Sequence, residues 1–174
     1  MAQTWRKGQL KVVMPNDAAL AVLPLYLPEG ASQTALNGSP FVITSGYLVV
    51  ASEPVEAVAA FSLEDGHNTA TDGLNKLKVC PAYQGLHAYG NLLTTTGADN
   101  VLAATDFGAD VQLDFATPYW HFGDSASNPC FQIVSFKPDP AYIPPNQSET
   151  ESLAGDTNAR VLGSMHNSAA VWAD

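Results

Sequence analysis

The chain has 174 residues, of which 46% are apolar and 14% are charged, and its formal net charge is −10 at pH 7. This length and composition predict one domain with a substantial core and a weakly charged surface, because globular proteins carry about 25% charged residues. The negative charge excludes nucleic acid and anionic membranes as expected partners, since binding to either needs clustered lysine and arginine side chains.

Residues 1–35 are predicted to form an N-terminal arm and an apolar contact segment. The first eleven residues contain basic and no acidic side chains, and the stretch "QLKVVMP" predicts one strand. The following stretch, "AALAVLPLYLPEG", is apolar, but Pro24 and Pro28 exclude a continuous helix, so a helical turn or an extended segment along a partner surface is expected. This apolar run starts too late for a signal peptide and is too short to span a bilayer, which predicts a soluble chain that is not exported by the usual route.

Residues 36–174 are predicted to form a β domain, because the thirteen glycines and twelve prolines of the chain favour turns and short strands. Leu77 and Val79 alternate with Lys76 and Lys78, which is the period of a strand with one buried face. The predicted strands lie near 40–44, 47–51, 56–63, 76–83, 85–93, 111–115, 130–138 and 160–173, and a Pro-rich loop occupies 137–159. These elements predict a mainly β fold, a β-sandwich or a small β-barrel with an extended N-terminal arm.

Two carboxylates, a histidine and an asparagine lie within the five residues Glu64–Asn68, in the stretch "FSLEDGHNTA". A calcium loop needs acidic residues at alternating positions, whereas Glu64 and Asp65 are adjacent and would point to opposite faces of a strand. A zinc site needs His or Cys ligands at regular spacing, but the four histidines are scattered singly. The stretch is therefore interpreted as a polar turn in which Gly66 is free to adopt positive φ, and neither a metal nor a cofactor is expected.

Motifs of common enzyme classes are absent from the sequence, which contains no G-x-S-x-G nucleophile elbow, no P-loop and no G-x-G-x-x-G fingerprint. Asp110 and Asp114 would share a strand face and could serve as a glycosidase pair, but many solvated aspartates share a face too. No positive charge lies beside Cys130 to activate its thiol. We therefore expect that the protein is not an enzyme.

The two cysteines, Cys80 and Cys130, do not make a disulfide framework, and a chain of this size does not need one. Each lies beside a proline in an apolar run, which favours buried free thiols. The sequence leaves open whether a disulfide joins them. Such a bridge would stabilise the chain by about 4 kcal/mol because it would close a long loop.

The stretch "TPYWHFGDS" concentrates three aromatic side chains, Tyr119, Trp120 and Phe122. Aromatic side chains can stack against sugars, fill the edge of a core or form a subunit interface, where they are enriched. We favour the core or the interface over a glycan site.

The order of several segments resembles a group of capsid-associated proteins of tailed bacteriophages. The resemblance covers residues 55–172 and is carried by "VEAVAAFSLEDGHNTATDGLNKLKVCPAYQGLHAYGNLL", "VLAATDFGADVQL", "YWHF", "CFQIVSFKP" and "NARVLGSMHNSAAVW". The matching motifs lie at Glu64–Asn68, Pro81–Leu92, Leu102–Gly108, Ile133–Pro138 and Asn158–Leu162. The chain departs from the pattern near its end, where "GSMHNSA" replaces a more apolar strand.

The resemblance implies a decoration, or cement, protein, which is a mainly β domain that binds the outside of an assembled icosahedral shell and stabilises it. It also implies a homotrimer, the major capsid protein as partner, and a place on the capsid exterior of the virion after synthesis in the host cytoplasm. From the residues themselves, we expect the capsid or subunit contacts at Trp5, Arg6, Leu23, Leu25, Tyr26, Leu27, Tyr119, Trp120 and Phe122. The alternatives are a carbohydrate-binding or host-surface-binding virion module and, after it, a small hydrolase.

Overall fold

The computed structural model describes residues 2, 4–13, 24–53, 55, 57–136 and 152–166. The predicted contact residue Leu23 and residues 137–151 of the predicted Pro-rich loop lie outside this part. No helix among the described residues is long and apolar enough to cross a membrane.

The described residues are almost entirely β-structure, which confirms the predicted mainly β fold. The strands are β1 (Lys11–Val13), β2 (Leu25–Pro28), β3 (Pro40–Thr44), β4 (Tyr47–Val50), β5 (Ala60–Ser62), β6 (Lys76–Pro81), β7 (His87–Leu93), β8 (Asp110–Ala116), β9 (Tyr119–Gly123), β10 (Phe131–Ser135) and β11 (Arg160–Met165), with a short 3₁₀ helix at Ala104–Asp106. The strand predicted over 56–63 is shorter than expected, because its pairing with β3 and β6 covers residues 60–62 alone.

Five strands form a closed barrel in the order β7–β11–β10–β8–β9, because β9 pairs back onto β7 in parallel, with Leu92 opposite Phe122. β1 adds a further strand by pairing with β7. Along β8, Val111 and Leu113 are buried in the core, as their alternation predicts for a strand face. The pairing of β8 with β9 brings Trp120 opposite Phe115 and His121 opposite Asp114.

Phe122 occupies the centre of this barrel because two glycines make room for its ring. A Cβ atom added at Gly90 or at Gly163 would lie 2.9 Å from the Phe122 ring, which is closer than real side chains approach. The ring also packs against Phe131, with 5.2 Å between the ring centroids. Glycine at these two strand positions therefore decides which aromatic side chain fills the barrel.

A second sheet has the strand order β2–β6–β5–β3–β4, and a parallel bridge between Glu29 and Leu48 brings its first and last strands together. One face of this sheet encloses its own small core, formed by Phe41, Leu48, Leu77 and neighbouring residues. The other face packs against the barrel, where Phe61 meets Phe131 edge to face at 6.1 Å between the ring centroids. The two sheets thus share one main hydrophobic core.

The described residues of the segment 1–35 lie along the body of the protein. Trp5 is buried, and its indole N–H donates a hydrogen bond of 3.0 Å to a carboxylate oxygen of Asp156. Leu10 is also part of the main core. β1 pairs with β7, while β2 lies in the same sheet as β3, so the second sheet continues across residue 35.

Candidate functional site

The segment Glu64–Asn68 lies in the irregular connection between β5 and β6, and its polar groups bind the protein's own backbone. A carboxylate oxygen of Glu64 accepts a hydrogen bond from the Lys78 N–H, and Asp65 accepts one from the Asn37 N–H, each at 2.8 Å. The backbone N–H of His67 donates to the buried carboxylate of Glu29, and the ring Nδ1 lies 2.9 Å from the same carboxylate. These contacts support the interpretation as a turn.

The reason for glycine in this turn differs from the one predicted. Gly66 does not adopt positive φ; Asn68 does, at 48°. A Cβ atom at Gly66 would instead lie 2.6 Å from a carboxylate oxygen of Glu29, so any side chain there would displace the buried carboxylate. Among the residues that the structure describes, no group of three or more His, Cys, Asp or Glu side chains is arranged to hold a metal ion.

The predicted contact residues fall into two groups. Arg6, Leu25 and Tyr26 are exposed, and Leu27 and Tyr119 are half-buried. Trp5, Trp120 and Phe122 are instead buried within the chain's own core, with Phe122 0% and Trp120 6% exposed. For Trp120 and Phe122 this position is the core, one of the two locations favoured from the sequence, and Trp5 is 5% exposed.

Trp120 nevertheless lines a cleft between the two sheets, which has a volume of about 250 Å³. Its ring packs against Phe115, with 5.3 Å between the ring centroids, and Phe115 remains partly exposed. On the other side lies Glu53, whose carboxylate accepts a hydrogen bond from the Phe115 backbone N–H. The remaining lining residues are Thr34, Val50 and Ala51.

A larger groove of about 640 Å³ adjoins this cleft and shares Val50, Ala51 and Glu53 with it. Its other lining residues are small or β-branched, and they come from β3, β4 and the segment after β4: Val42, Thr44, Val49, Ser52, Val55 and Ala57. Glu53 therefore stands where the cleft and the groove meet. We call the smaller of the two the Glu53 cleft and the larger one the adjoining groove.

The carboxylate of Glu53 has a raised pKa, first because it is partly buried and second because the negative charge of Asp114 is close. Asp114 itself is buried, which raises its pKa, while the Gln112 side chain donates hydrogen bonds of 2.7 and 2.9 Å to its two oxygens. The sequence between Lys78 and Lys137 holds no lysine or arginine. Two carboxylates therefore lie near one another on an apolar background.

Asp110 and Asp114, considered in the sequence as a glycosidase pair, lie in different surroundings. Asp110 is partly exposed and lies 3.0 Å from the Nε2 atom of His166, whereas Asp114 is bonded to Gln112. Four residues of extended strand separate them by about 13 Å. Glycosidase carboxylates lie at most about 9.5 Å apart, so this pair does not have the separation of a glycosidase.

Cys80 and Cys130 are buried free thiols, as the sequence favours. Burial raises the pKa of each thiol to about 11, so neither is ionised near neutral pH. Cys130 also donates a hydrogen bond from its Sγ to the backbone oxygen of Val55 at 3.1 Å. Both thiol side chains are part of the main hydrophobic core.

Sequence reasoning identified Trp120 but missed Glu53, Thr34 and the role of Phe115 in the cleft. Alternation in "VQLDF" places Phe115 on the same face as Val111 and Leu113, which is as far as a local pattern reaches. Glu53 follows β4 in a stretch without periodicity, and nothing in that stretch points to Trp120. The pairing of β8 with β9 and the packing of the two sheets bring these residues together.

Comparison of the chain with protein-family models, with curated proteins and with solved structures gives no match.

Proposed function

We propose that the protein is a decoration protein that binds the outer surface of an assembled bacteriophage capsid as a homotrimer and stabilises the shell. The observation that carries this proposal is the ordered series of segments over residues 55–172 that resembles capsid-associated phage proteins. A mainly β chain with a low content of charged residues is compatible with that role. The partner is the major capsid protein.

The mechanism is thermodynamic linkage and needs no chemistry. A protein that binds the assembled shell but not its dissociated subunits shifts the equilibrium toward the shell by mass action. Trimerisation adds to this effect, because three linked contacts bind more tightly than one contact of modest affinity.

The surface proposed for the capsid contact is the face of β2 that carries Tyr26, whose side chain is 60% exposed. Leu25 is exposed too, but successive side chains of a strand point to opposite faces, so the proposal depends on Tyr26. Exposed aromatic side chains are enriched at protein interfaces. Removing residues 1–30 is not a suitable test of this surface, because Trp5 and Leu10 belong to the core and β2 belongs to the second sheet. A substitution at Tyr26 tests it without removing core residues.

The experiment mixes the purified protein with phage shells assembled without it, before and after shell expansion, and measures binding by co-sedimentation. We expect saturable binding of the wild-type protein to the expanded shell. Tyr26→Ser should bind at least about tenfold more weakly, because aromatic side chains often contribute most of the binding energy of an interface. The matched control is Phe107→Ser, since Phe107 is 61% and Tyr26 60% exposed. Native mass spectrometry should show a species near three times 18.4 kDa.

The outcomes separate the function from the contact surface. Failure of the wild-type protein to bind either form of the shell would contradict the proposed function. Normal binding of Tyr26→Ser would retain the function and move the contact away from β2. No second function is proposed, because Phe122 is fully buried and no observation on the described residues specifically favours a sugar as ligand.

A further inference from the structure

We propose that the Glu53 cleft is a binding site for an arginine side chain presented by the capsid surface. The identity of the partner rests on the function proposed above, whereas the chemistry of the site rests on the residues that line it. Three features carry the inference: the shape of the cleft, its uncompensated negative charge and its aromatic wall.

The cleft is an indentation suited to one side chain. It is an open depression of about 250 Å³, and its lining includes Trp120, Phe115, Glu53 and Thr34. Trp120 belongs to the main core and Phe115 lies opposite it in the pairing of β8 with β9, so packing of the fold holds the aromatic wall in place. This wall is therefore formed before a ligand arrives, which lowers the entropic cost of binding.

The charge of the cleft is complementary to a cation. Within the described part of the chain, no lysine or arginine forms an ion pair with Glu53. Partial burial, and after it the nearby charge of Asp114, makes the ionised form of Glu53 more costly, as the raised pKa of Glu53 reflects. A cation bound beside Glu53 would relieve this cost, because an opposite charge favours the ionised carboxylate.

The aromatic wall favours arginine among the cationic side chains. The Phe115 ring is partly exposed and tilted by 49° against Trp120, so the two rings border the cleft together. A guanidinium group is planar and weakly hydrated, and it can stack on an aromatic ring while it donates hydrogen bonds to a carboxylate. An ammonium group is more strongly hydrated and does not stack in this way.

The adjoining groove indicates the surroundings of that arginine. Its lining by Val42, Val49 and Val55 suits an extended segment with small apolar side chains on either side of the basic residue. The net charge of −10 on this chain favours approach of a basic surface. The site therefore takes an arginine from an apolar segment of the shell.

The test is a titration of the full-length protein with N-acetyl-arginine methylamide, followed by ¹H–¹⁵N correlation spectra. We expect shifts of the Trp120 indole and the Phe115 amide signals, with millimolar affinity and at least about fivefold weaker binding by Glu53→Gln. The glutamine keeps the oxygen that accepts the Phe115 N–H, so the fold is retained. The matched control Glu64→Gln removes the same charge from the turn at Glu64–Asn68.

The neutral isostere N-acetyl-citrulline methylamide separates charge from shape. The site is supported if the wild-type protein binds the arginine probe but not the citrulline probe. Binding of the arginine probe should be lost in Glu53→Gln and kept in Glu64→Gln. Equal binding of both probes, or no shift at Trp120 and Phe115, would overturn it.

The source of the arginine is tested separately by co-sedimentation of Glu53→Gln with the shell. Weaker capsid binding with an intact trimer would support the capsid as the source. A dissociated trimer would place the arginine on a second copy of this chain and overturn the assigned source. If the arginine probe binds while the wild-type protein does not bind the shell, the cleft stands and the proposed function fails.

Discussion

His121 is a buried titratable side chain whose neutral form the fold requires. Its Nε2 atom lies 3.1 Å from the backbone oxygen of Thr94, which makes this nitrogen the donor. Burial lowers the pKa of His121, and the charge of Lys7 lowers it slightly further, while the hydrogen bond to Thr94 and the charge of Asp114 oppose the shift. The unfolded chain therefore takes up this proton at a higher pH than the folded chain.

The sign of the resulting pH dependence follows from that difference. Below about pH 6.5, where histidine in the unfolded chain becomes protonated, His121 lowers the free energy of unfolding by at most about 1.4 kcal/mol per pH unit. We expect that His121→Gln, which can still donate to Thr94, removes this contribution and flattens the profile. Urea unfolding at pH 7.5, 6.5 and 5.5 measures the difference.

The control for this prediction is His87→Gln, because His87 is exposed. The raised pKa values of Glu53 and Asp114 act in the opposite direction, since protonation of these carboxylates in acid favours the folded state. Both carboxylates are present in every variant; because the charge of His121 lowers the pKa of Asp114, the difference between the profiles also contains this coupling. Profiles that run parallel for His121→Gln and the wild type would contradict the prediction.

At the scale of elements, the side chain of Gln33 completes the edge of β4. Its amide N–H donates to the Leu48 oxygen at 2.7 Å, and its amide oxygen accepts from the Val50 N–H at 2.8 Å. The amide group thus binds β4 as a peptide group of a neighbouring strand would. It satisfies the Val50 N–H, which would otherwise be available for pairing with another chain, whereas the Leu48 oxygen also accepts from the Gly30 N–H.

Gln33→Glu tests this role, because a carboxylate can accept from Val50 but cannot donate to Leu48. We expect a loss of about 1–2 kcal/mol in the free energy of unfolding, from one lost hydrogen bond and a repulsive oxygen pair. Chemical denaturation measures the loss, and hydrogen exchange of the Val50 amide should become faster. Gln84→Glu, on an exposed turn, should change neither quantity; an equal effect in both variants would disprove the role of Gln33.

At the scale of the whole molecule, Asn91 joins three parts of the chain. Its side-chain oxygen accepts from the Gly8 N–H at 2.9 Å, and its Nδ2 donates to the oxygens of Arg6 and Asn158 at 3.2 and 2.7 Å. The buried guanidinium of Arg160 also donates to this oxygen from Nη1, at 3.3 Å. The first residues of the chain are therefore held by a buried polar network.

Asn91→Ala should destabilise the protein by about 2–4 kcal/mol, because it leaves several buried polar groups without their partner. Thermal unfolding measures the loss, and hydrogen exchange at Gly8 should increase together with exchange in β7. The exposed Asn37→Ala serves as control. A loss below about 0.5 kcal/mol, or faster exchange at Gly8 alone, would show that the N-terminal residues are not part of the cooperative fold.

The sequence alone determined the secondary structure of much of the chain. Period-two alternation identified β6, β8 and β10, because apolar side chains recur at every second residue of these strands. In β8 the intervening Gln112 and Asp114 are buried as well, which alternation does not predict. The density of turn residues excluded long helices, and the adjacent acidic pair in Glu64–Asn68 pointed to a turn. Prolines beside both cysteines in apolar runs favoured free buried thiols. All of these features depend on near neighbours in the chain, which a sequence displays directly.

The tertiary structure alone decided which strands pair, which aromatic side chains are buried and where a cleft forms. Trp5 was expected at a capsid or subunit contact; it packs in the main core, where its N–H donates to Asp156, 151 residues away. Glu53 lies beside Phe115 and Trp120 because the two sheets pack there. Such contacts depend on strand pairing and sheet packing across the whole chain. Local patterns of alternation and turn residues do not specify those arrangements.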